Sequence, residues 1–128
     1  MSNFVEILKN LDGYVSLQGV TSQAVSDAED ALSLKFSKEY RDYLIECGVA
    51  SADGHEFTGI VNSKRLNVVD VTIAEKEKNP VIPKELYVVE RTQIDGLIIW
   101  QSVDGTVFQS VGATKPERIC ASLSEYLQ

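Results

Sequence analysis

Two of the four Asp-Gly dipeptides in this chain limit its possible folds more than any other sequence feature. Asp95-Gly96 and Asp104-Gly105 each separate two short apolar segments. The segments are residues 86–91, 97–102 and 106–111. Asp-Gly between apolar runs is a strong signal for a β-hairpin, because both residues readily adopt the positive φ angles of a tight turn. The sequence therefore predicts a three-stranded antiparallel meander.

The first half of the chain predicts three helices. Apolar residues recur at helical spacing within residues 4–11, 25–32 and 40–47. Thr21 or Ser22 is placed to cap the second helix and Ser37 the third, and Gly48 is placed to end the third. We expect a helix, a kink and a helix, with one stripe of the third helix facing the core. That stripe consists of Tyr40, Tyr43, Leu44 and Cys47.

The remaining segments are less regular. Residues 66–78 are rich in β-branched side chains, which suit a strand, but their apolar residues share a helical face and residues 74–78 favour helix. We predict a helix there. A weak alternation after Asp53-Gly54 suggests a short strand at residues 55–60. Pro116 is expected to open a last helix that faces Ile119, Cys120, Leu123 and Leu127 inward.

These elements predict one α+β domain spanning residues 1–128. Strands follow helices without βαβ alternation, which indicates an antiparallel sheet. We expect the three-stranded meander plus one or two further strands, packed with the amino-terminal helices and a carboxy-terminal helix. A length of 128 residues is typical of a single domain with one core.

The charge of the chain is acidic and unevenly distributed. The formal net charge is −7, and residues 1–60 carry ten acids against four bases, whereas residues 61–128 carry nine against eight. This balance opposes binding to nucleic acid or anionic lipid and favours a basic partner. The amino terminus lacks a basic segment followed by an apolar one, so we expect a cytoplasmic protein with reduced cysteines.

Few residues suggest catalytic or metal chemistry. The local cluster Asp53-x-His55-Glu56 matches no zinc or calcium spacing, so we predict neither a metal site nor a cofactor. A nucleophilic site would need His55 near Cys47 or Cys120, both of which occupy predicted core stripes. Trp100 could anchor a partner, although a core position is the stronger expectation for a tryptophan in a middle strand.

A longer pattern crosses the predicted kink. It reads Glu29-x-x-Leu32-x-x-x-Phe36-Ser37-x-x-Tyr40-x-x-Tyr43-Leu44-x-x-x-Gly48. This pattern resembles the amino-terminal motif of the SUKH superfamily, which includes fungal cell-wall-assembly regulators and bacterial immunity proteins of polymorphic toxin systems. The family motif has Leu-Pro where this chain has Phe36-Ser37, so Ser37 must cap the helix in place of the proline. Tyr43 replaces a phenylalanine.

Later segments resemble a bacterial branch of the same family in order and spacing. They are residues 67–72, Ile82-Pro83, residues 86–89, residues 95–99, Asp104-Gly105 and the closing residues 122–127. The resemblance covers almost the whole chain. It implies a binding fold without catalysis, in which the motif residues are mainly structural.

The resemblance implies an immunity protein that binds and neutralises a cognate secreted toxin domain, which we expect to be a basic nuclease. The alternative is a non-enzymatic regulatory scaffold that recruits cellular proteins, and an enzyme is a third reading. From the acidic excess we predict that Asp27, Asp30, Asp53 and Glu56 contact the toxin. The oligomeric state stays open.

Overall fold

Five helices lie within residues 3–128, the part of the chain that the computed structural model describes. They are α1 (Asn3–Lys9), α2 (Ser22–Leu32), α3 (Lys38–Cys47), α4 (Val68–Lys78) and α5 (Leu123–Tyr126). Polar side chains cap four of them by accepting backbone N–H groups of the first turn. The caps are Thr21, Ser37, Asn67 and Ser122. The predicted helices at residues 22–32, 38–47 and 68–78 are thus confirmed.

Seven strands in the same part of the chain form two antiparallel sheets. The small sheet contains β1 (Val15–Ser16), β2 (Ala50–Ala52) and β3 (His55–Glu56) in that order. The larger sheet contains β4 (Tyr87–Arg91), β5 (Leu97–Gln101), β6 (Val107–Val111) and β7 (Glu117–Cys120) in that order. Strands β4 to β6 are the predicted meander, and Asp95-Gly96 and Asp104-Gly105 lie in its connections. The α+β class is confirmed.

The carboxy-terminal segment differs from its prediction. Residues 117–120, expected to begin a helix at Pro116, form strand β7, which pairs with β6 in the register Gln109↔Glu117 and Phe108↔Arg118. The helix starts only after Ser122, whose hydroxyl accepts the N–H of Glu125. The segment pairs with the free edge of β6, because the hydrogen bonds of the sheet stabilise it more than a short helix would.

The larger sheet separates two apolar clusters, because successive side chains of a strand point to opposite faces. Tyr87, Val89 and Ile99 face α1, α2 and α3 in the main core. Val88 and Trp100 face the opposite side, in a smaller cluster with Val71 of α4. The Trp100 side chain is 1% exposed, so its predicted core position is confirmed.

The kink between α2 and α3 is held by side chains that replace missing helical hydrogen bonds. The buried Glu29 carboxylate accepts the N–H of Phe36 at 2.9 Å, and its other oxygen lies 3.9 Å from the Lys35 ammonium. The Ser37 hydroxyl accepts the N–H of Tyr40 at 3.0 Å. The motif glutamate and the predicted serine cap therefore have structural roles at the kink.

Gln101, at the end of β5, connects the kink to the rest of the fold. Its carbonyl oxygen accepts hydrogen bonds from the hydroxyls of Ser37 at 3.0 Å and Tyr87 at 2.7 Å. Its amide nitrogen donates to the Glu39 carboxylate at 2.7 Å and to the Gly105 carbonyl at 3.0 Å. The amide is fully buried and uses both of its donors and two acceptor sites.

Glu39 extends this network to the end of the chain. The same carboxylate accepts the N–H of Leu123 at 2.6 Å, in the first turn of α5. Negative charge is favourable at a helix amino terminus, where backbone N–H groups lack helical partners. The network of Ser37, Gln101, Tyr87 and Glu39, which we call the Gln101 junction, thus joins α3, the meander and α5.

We predict that Ser37→Ala lowers the free energy of unfolding by about 1–2 kcal/mol, because a buried cap and a bond to Gln101 are lost together. Thr21→Ala is the matched control, since Thr21 caps α2 in an exposed position and should cost about 0.5 kcal/mol. Urea unfolding of the two variants measures the difference. Equal losses would contradict a special role for Ser37.

Three buried phenols of the core determine how the free energy of unfolding changes at alkaline pH. Burial raises the pKa values of Tyr40, Tyr43 and Tyr87 above the ordinary value near 10. The folded state therefore keeps protons that the unfolded chain loses, so stability is complete below about pH 10 and falls as the pH rises further. Each phenol should contribute about 1.4 kcal/mol per pH unit in that window.

The measurement is urea unfolding between pH 8 and about pH 11.5. Tyr40→Phe removes one titrating phenol while keeping its ring, so its stability should fall less steeply than that of the wild type. Identical slopes above pH 10 for the two proteins would contradict this assignment.

Candidate functional site

A cleft beside the β2–β3 hairpin contains two of the residues predicted to contact a partner. Its volume is about 440 Å³. The register Ala52↔His55 leaves Asp53 and Gly54 as a two-residue loop, with φ angles of 48° and 80°. Positive φ at both loop positions is the type I′ geometry that suits a hairpin. The predicted Asp53-Gly54 turn is confirmed, and it sets the Asp53 and Glu56 side chains at the cleft.

A second carboxylate joins Asp53 at this cleft. The Asp53 N–H donates to the carbonyl oxygen of Asp12 at 2.7 Å, which ties the loop after α1 to the hairpin. Both side chains are exposed and line the cleft. Among residues 3–128, neither carboxylate lies in an ion pair. Asp12 was missed by sequence reasoning, since only the folded chain brings it beside Asp53.

Glu56 differs from Asp53 because its charge has a partner. The Arg65 guanidinium donates to both carboxylate oxygens, at 2.6 and 3.0 Å. These bonds hold the pKa of the Glu56 carboxyl below its usual value. Such a fork-shaped pair fixes the orientation of both side chains. Glu56 therefore presents an ion pair to solvent, and not the isolated negative charge that its position in the sequence suggested.

The other two predicted contact residues lie elsewhere. Asp27 and Asp30 are exposed on α2, where Asp27 accepts a hydrogen bond from the Gln23 side chain at 2.9 Å. Asp30 lines a shallow groove with Lys35 near the carboxy-terminal end of α2. The structure thus places Asp53 and Glu56 at one cleft, and it does not bring Asp27 or Asp30 to that cleft.

A buried carboxylate lies behind the hairpin. Glu90 of β4 is 3% exposed, and its two oxygens lie 3.0 and 3.1 Å from Nδ1 of His55. The Tyr126 hydroxyl donates to Glu90 at 2.6 Å. Burial, together with the bond to Glu90, raises the pKa of the Tyr126 phenol, so this donor keeps its proton. The cluster ties β3, β4 and α5 together, and no motif in the sequence marks it.

The cysteines occupy structural positions. Cys47 is buried with its sulfur 3.5 Å from the Tyr14 hydroxyl, and Cys120 donates to the carbonyl of Ser122. Burial raises the pKa values of both thiols, which keeps them protonated and weakly nucleophilic. His55 directs Nδ1 toward Glu90, and within residues 3–128 it makes no hydrogen bond to either cysteine.

Residues 3–128 contain neither a cluster of potential metal ligands nor a membrane-spanning helix. Three or more histidine, cysteine, aspartate or glutamate side chains do not converge anywhere in this range as a metal ion would require. The helices in the same range are too short or too polar to cross a membrane.

We predict that Glu90→Ala lowers the free energy of unfolding by about 2 kcal/mol or more, because it leaves the Tyr126 hydroxyl and the His55 ring without their acceptor. Glu56→Ala removes an equally close but exposed pair with Arg65, so its effect should be much smaller. Thermal and urea unfolding of both variants make the comparison. Similar losses would show that the Glu90 cluster does not hold the hairpin to the sheet.

Comparison of the fold with solved structures gives a clear match. A crystal structure of a protein from Pseudomonas syringae pv. tomato aligns with a TM-score of 0.76, covering 98% of this chain and 94% of that chain. The two sequences are 15% identical, so this similarity concerns the fold. Among curated proteins, none matches the chain.

Comparison with protein families extends over the full sequence. The family model SUKH_5, described as SMI1-KNR4 cell-wall, matches residues 1–128. This range includes the kink with Glu29 and Ser37, the meander and the closing segment, which are the parts that carried the resemblance in the sequence. The chain therefore belongs to the SUKH family.

Proposed function

We propose that the protein is an immunity protein, which binds the toxic domain of a cognate secreted protein and neutralises it in the cytoplasm of the producing cell. Membership of the SUKH family over the whole chain is the observation that carries this proposal. Members of this family are generally non-enzymatic binding proteins, and the protonated, buried cysteines fit that role.

The charge distribution supports a basic toxin such as a nuclease. Three of the four bases in residues 1–60 are already paired with acids, namely Lys9, Lys35 and Lys38. Asp12, Asp27, Asp30 and Asp53 are exposed and take no part in an ion pair within residues 3–128. Uncompensated carboxylates attract a surface built to hold phosphates and accelerate association with it. The toxin would then be blocked where its substrate binds.

A regulatory scaffold is the second candidate. The family description includes the words cell-wall, which fits a protein that recruits cellular partners. The two functions differ in the partner, because a scaffold would bind a protein that is not encoded beside it. They share the prediction that the chain acts by binding and without catalysis.

Co-expression with a candidate toxin tests the proposal. The toxin is the carboxy-terminal domain of the secreted protein encoded next to this gene, and the readouts are cell survival and co-purification of a complex. We expect survival to require this protein and the complex to be stoichiometric. Cell death despite abundant, folded protein would reject that toxin as the target and favour the scaffold.

Neutralising the predicted contact residues tests the electrostatic part. We predict that Asp27→Asn, Asp30→Asn, Asp53→Asn and Glu56→Gln together slow association about tenfold or more at low salt, because three uncompensated carboxylates are neutralised and the Arg65 guanidinium loses its partner. The pair Asp27→Asn with Asp30→Asn and the pair Asp53→Asn with Glu56→Gln separate the two surfaces. Stopped-flow association at several salt concentrations measures the rates.

The control for this series is Glu77→Gln with Glu117→Gln, which removes two exposed carboxylates from the second half of the chain. It should change the association rate little. If the four-residue variant associates as fast as the wild type, or if the wild-type rate does not depend on salt, the electrostatic account of toxin binding is wrong.

A further inference from the structure

An apolar groove lies on the small sheet. Val15 lies in β1 and Leu17 follows directly after that strand; both line the same groove, and they are 62% and 55% exposed. Val61 and Leu66, both half-buried, complete the wall of a groove of about 210 Å³. Apolar side chains that meet in one exposed groove are characteristic of interaction sites, unlike single exposed apolar residues.

The groove is continuous with the acidic cleft. Ser51 of β2 and Glu56 of β3 line both concavities. Ser51 is the register partner of Val15 on one side and of Glu56 on the other, so the small sheet itself joins the two. One continuous surface thus has an apolar half at β1 and an acidic half at the β2–β3 hairpin.

Within residues 3–128, the two aspartates of the acidic half, Asp12 and Asp53, take part in no ion pair. Asp12 and Asp53 are exposed there, and their segments are fixed by the 2.7 Å backbone hydrogen bond between them. Arg91 also lines the cleft, but its Nε donates to the Glu75 carboxylate at 2.8 Å. Arg65 donates to the carboxylate of Glu56, the residue that lines both concavities. The two nearby guanidinium groups are therefore committed to other carboxylates.

We propose that this surface docks the toxin, through a segment that places an apolar side chain in the groove and lysine or arginine side chains at Asp12 and Asp53. This inference rests on the proposed immunity function and names its binding surface. Charge complementarity selects the occupant, because a basic segment gains from two uncompensated carboxylates whereas a second copy of this acidic chain would be repelled. The apolar side chain in the groove slows dissociation, and the carboxylates accelerate association and orient the toxin.

The surface is separate from the family motif. The aromatic residues of the motif are buried in the core, whereas Val15, Leu17, Asp12 and Asp53 lie outside the motif and are exposed. A surface built from such residues can change with the toxin while the fold is retained. This separation explains how one fold can serve different partners.

The test uses the full-length protein and the toxin domain with its catalytic site inactivated. Variant one is Val15→Thr with Leu17→Ser, and variant two is Asp12→Asn with Asp53→Asn. Asparagine suits position 53 because it tolerates positive φ. The matched control is Ile73→Ser with Glu77→Gln, which changes an exposed apolar residue and an exposed carboxylate on α4. Circular dichroism and thermal unfolding confirm that each variant is folded.

We expect variant one to raise Kd about tenfold or more, mainly through faster dissociation, and to leave the salt dependence unchanged. Variant two should slow association and flatten its salt dependence. The control should bind like the wild type. Titration calorimetry gives Kd and stopped flow gives the rates.

Three results would overturn the inference, and they are distinguishable. If the wild type binds the toxin domain and both variants bind equally well, the surface is wrong although the immunity function stands. If the wild type binds no toxin domain, the proposed function fails and this surface assignment fails with it. If sedimentation shows a dimer that variant one dissociates, the groove holds a second copy of the chain.

Discussion

The fully buried side-chain amide of Gln101 connects separate parts of the fold through four hydrogen bonds. It bonds to Ser37 at the kink, to Tyr87 on the neighbouring strand, to Gly105 at the next turn and to Glu39, which holds the start of α5. A buried polar group is stabilising only when its donors and acceptors are satisfied. Any shift of α3 relative to the meander would break several of these bonds, so the junction fixes one arrangement of helices and sheet.

Sequence patterns predicted the parts of this fold that depend on local chemistry. The Asp-Gly turns, the Ser37 cap and the core stripe with Tyr40 and Tyr43 all follow from nearby residues. The Gln101 junction could not be predicted, since its members are distant in sequence and a single glutamine in a strand carries no pattern. The prediction of a helix from Pro116 was wrong for a related reason, because the pairing of β7 with β6 is a non-local interaction.

The candidate site shows the same difference between features that are visible in the sequence and features that arise only on folding. The excess of acids in the first half of the chain was visible in the sequence, and it led to Asp53 as a candidate. The sequence did not show that Arg65 pairs with Glu56, that Asp12 joins Asp53, or that Asp27 lies apart on α2. Charge in a sequence gives a total, whereas a binding surface depends on which charges remain unpaired after folding. The apolar groove beside them was equally hidden, because only folding brings Val61 and Leu66 to the same groove as Val15 and Leu17.

We therefore propose that the family motif stabilises the fold, whereas the surface at β1 and the β2–β3 hairpin binds the toxin. Hydrogen–deuterium exchange of the free protein and of its complex with the toxin domain tests this proposal. We expect slower exchange on binding in residues 12–17, 51–56 and 61–66, with residues 37–44 of the motif unchanged. Protection confined to the motif helices, with no change at the small sheet, would contradict it.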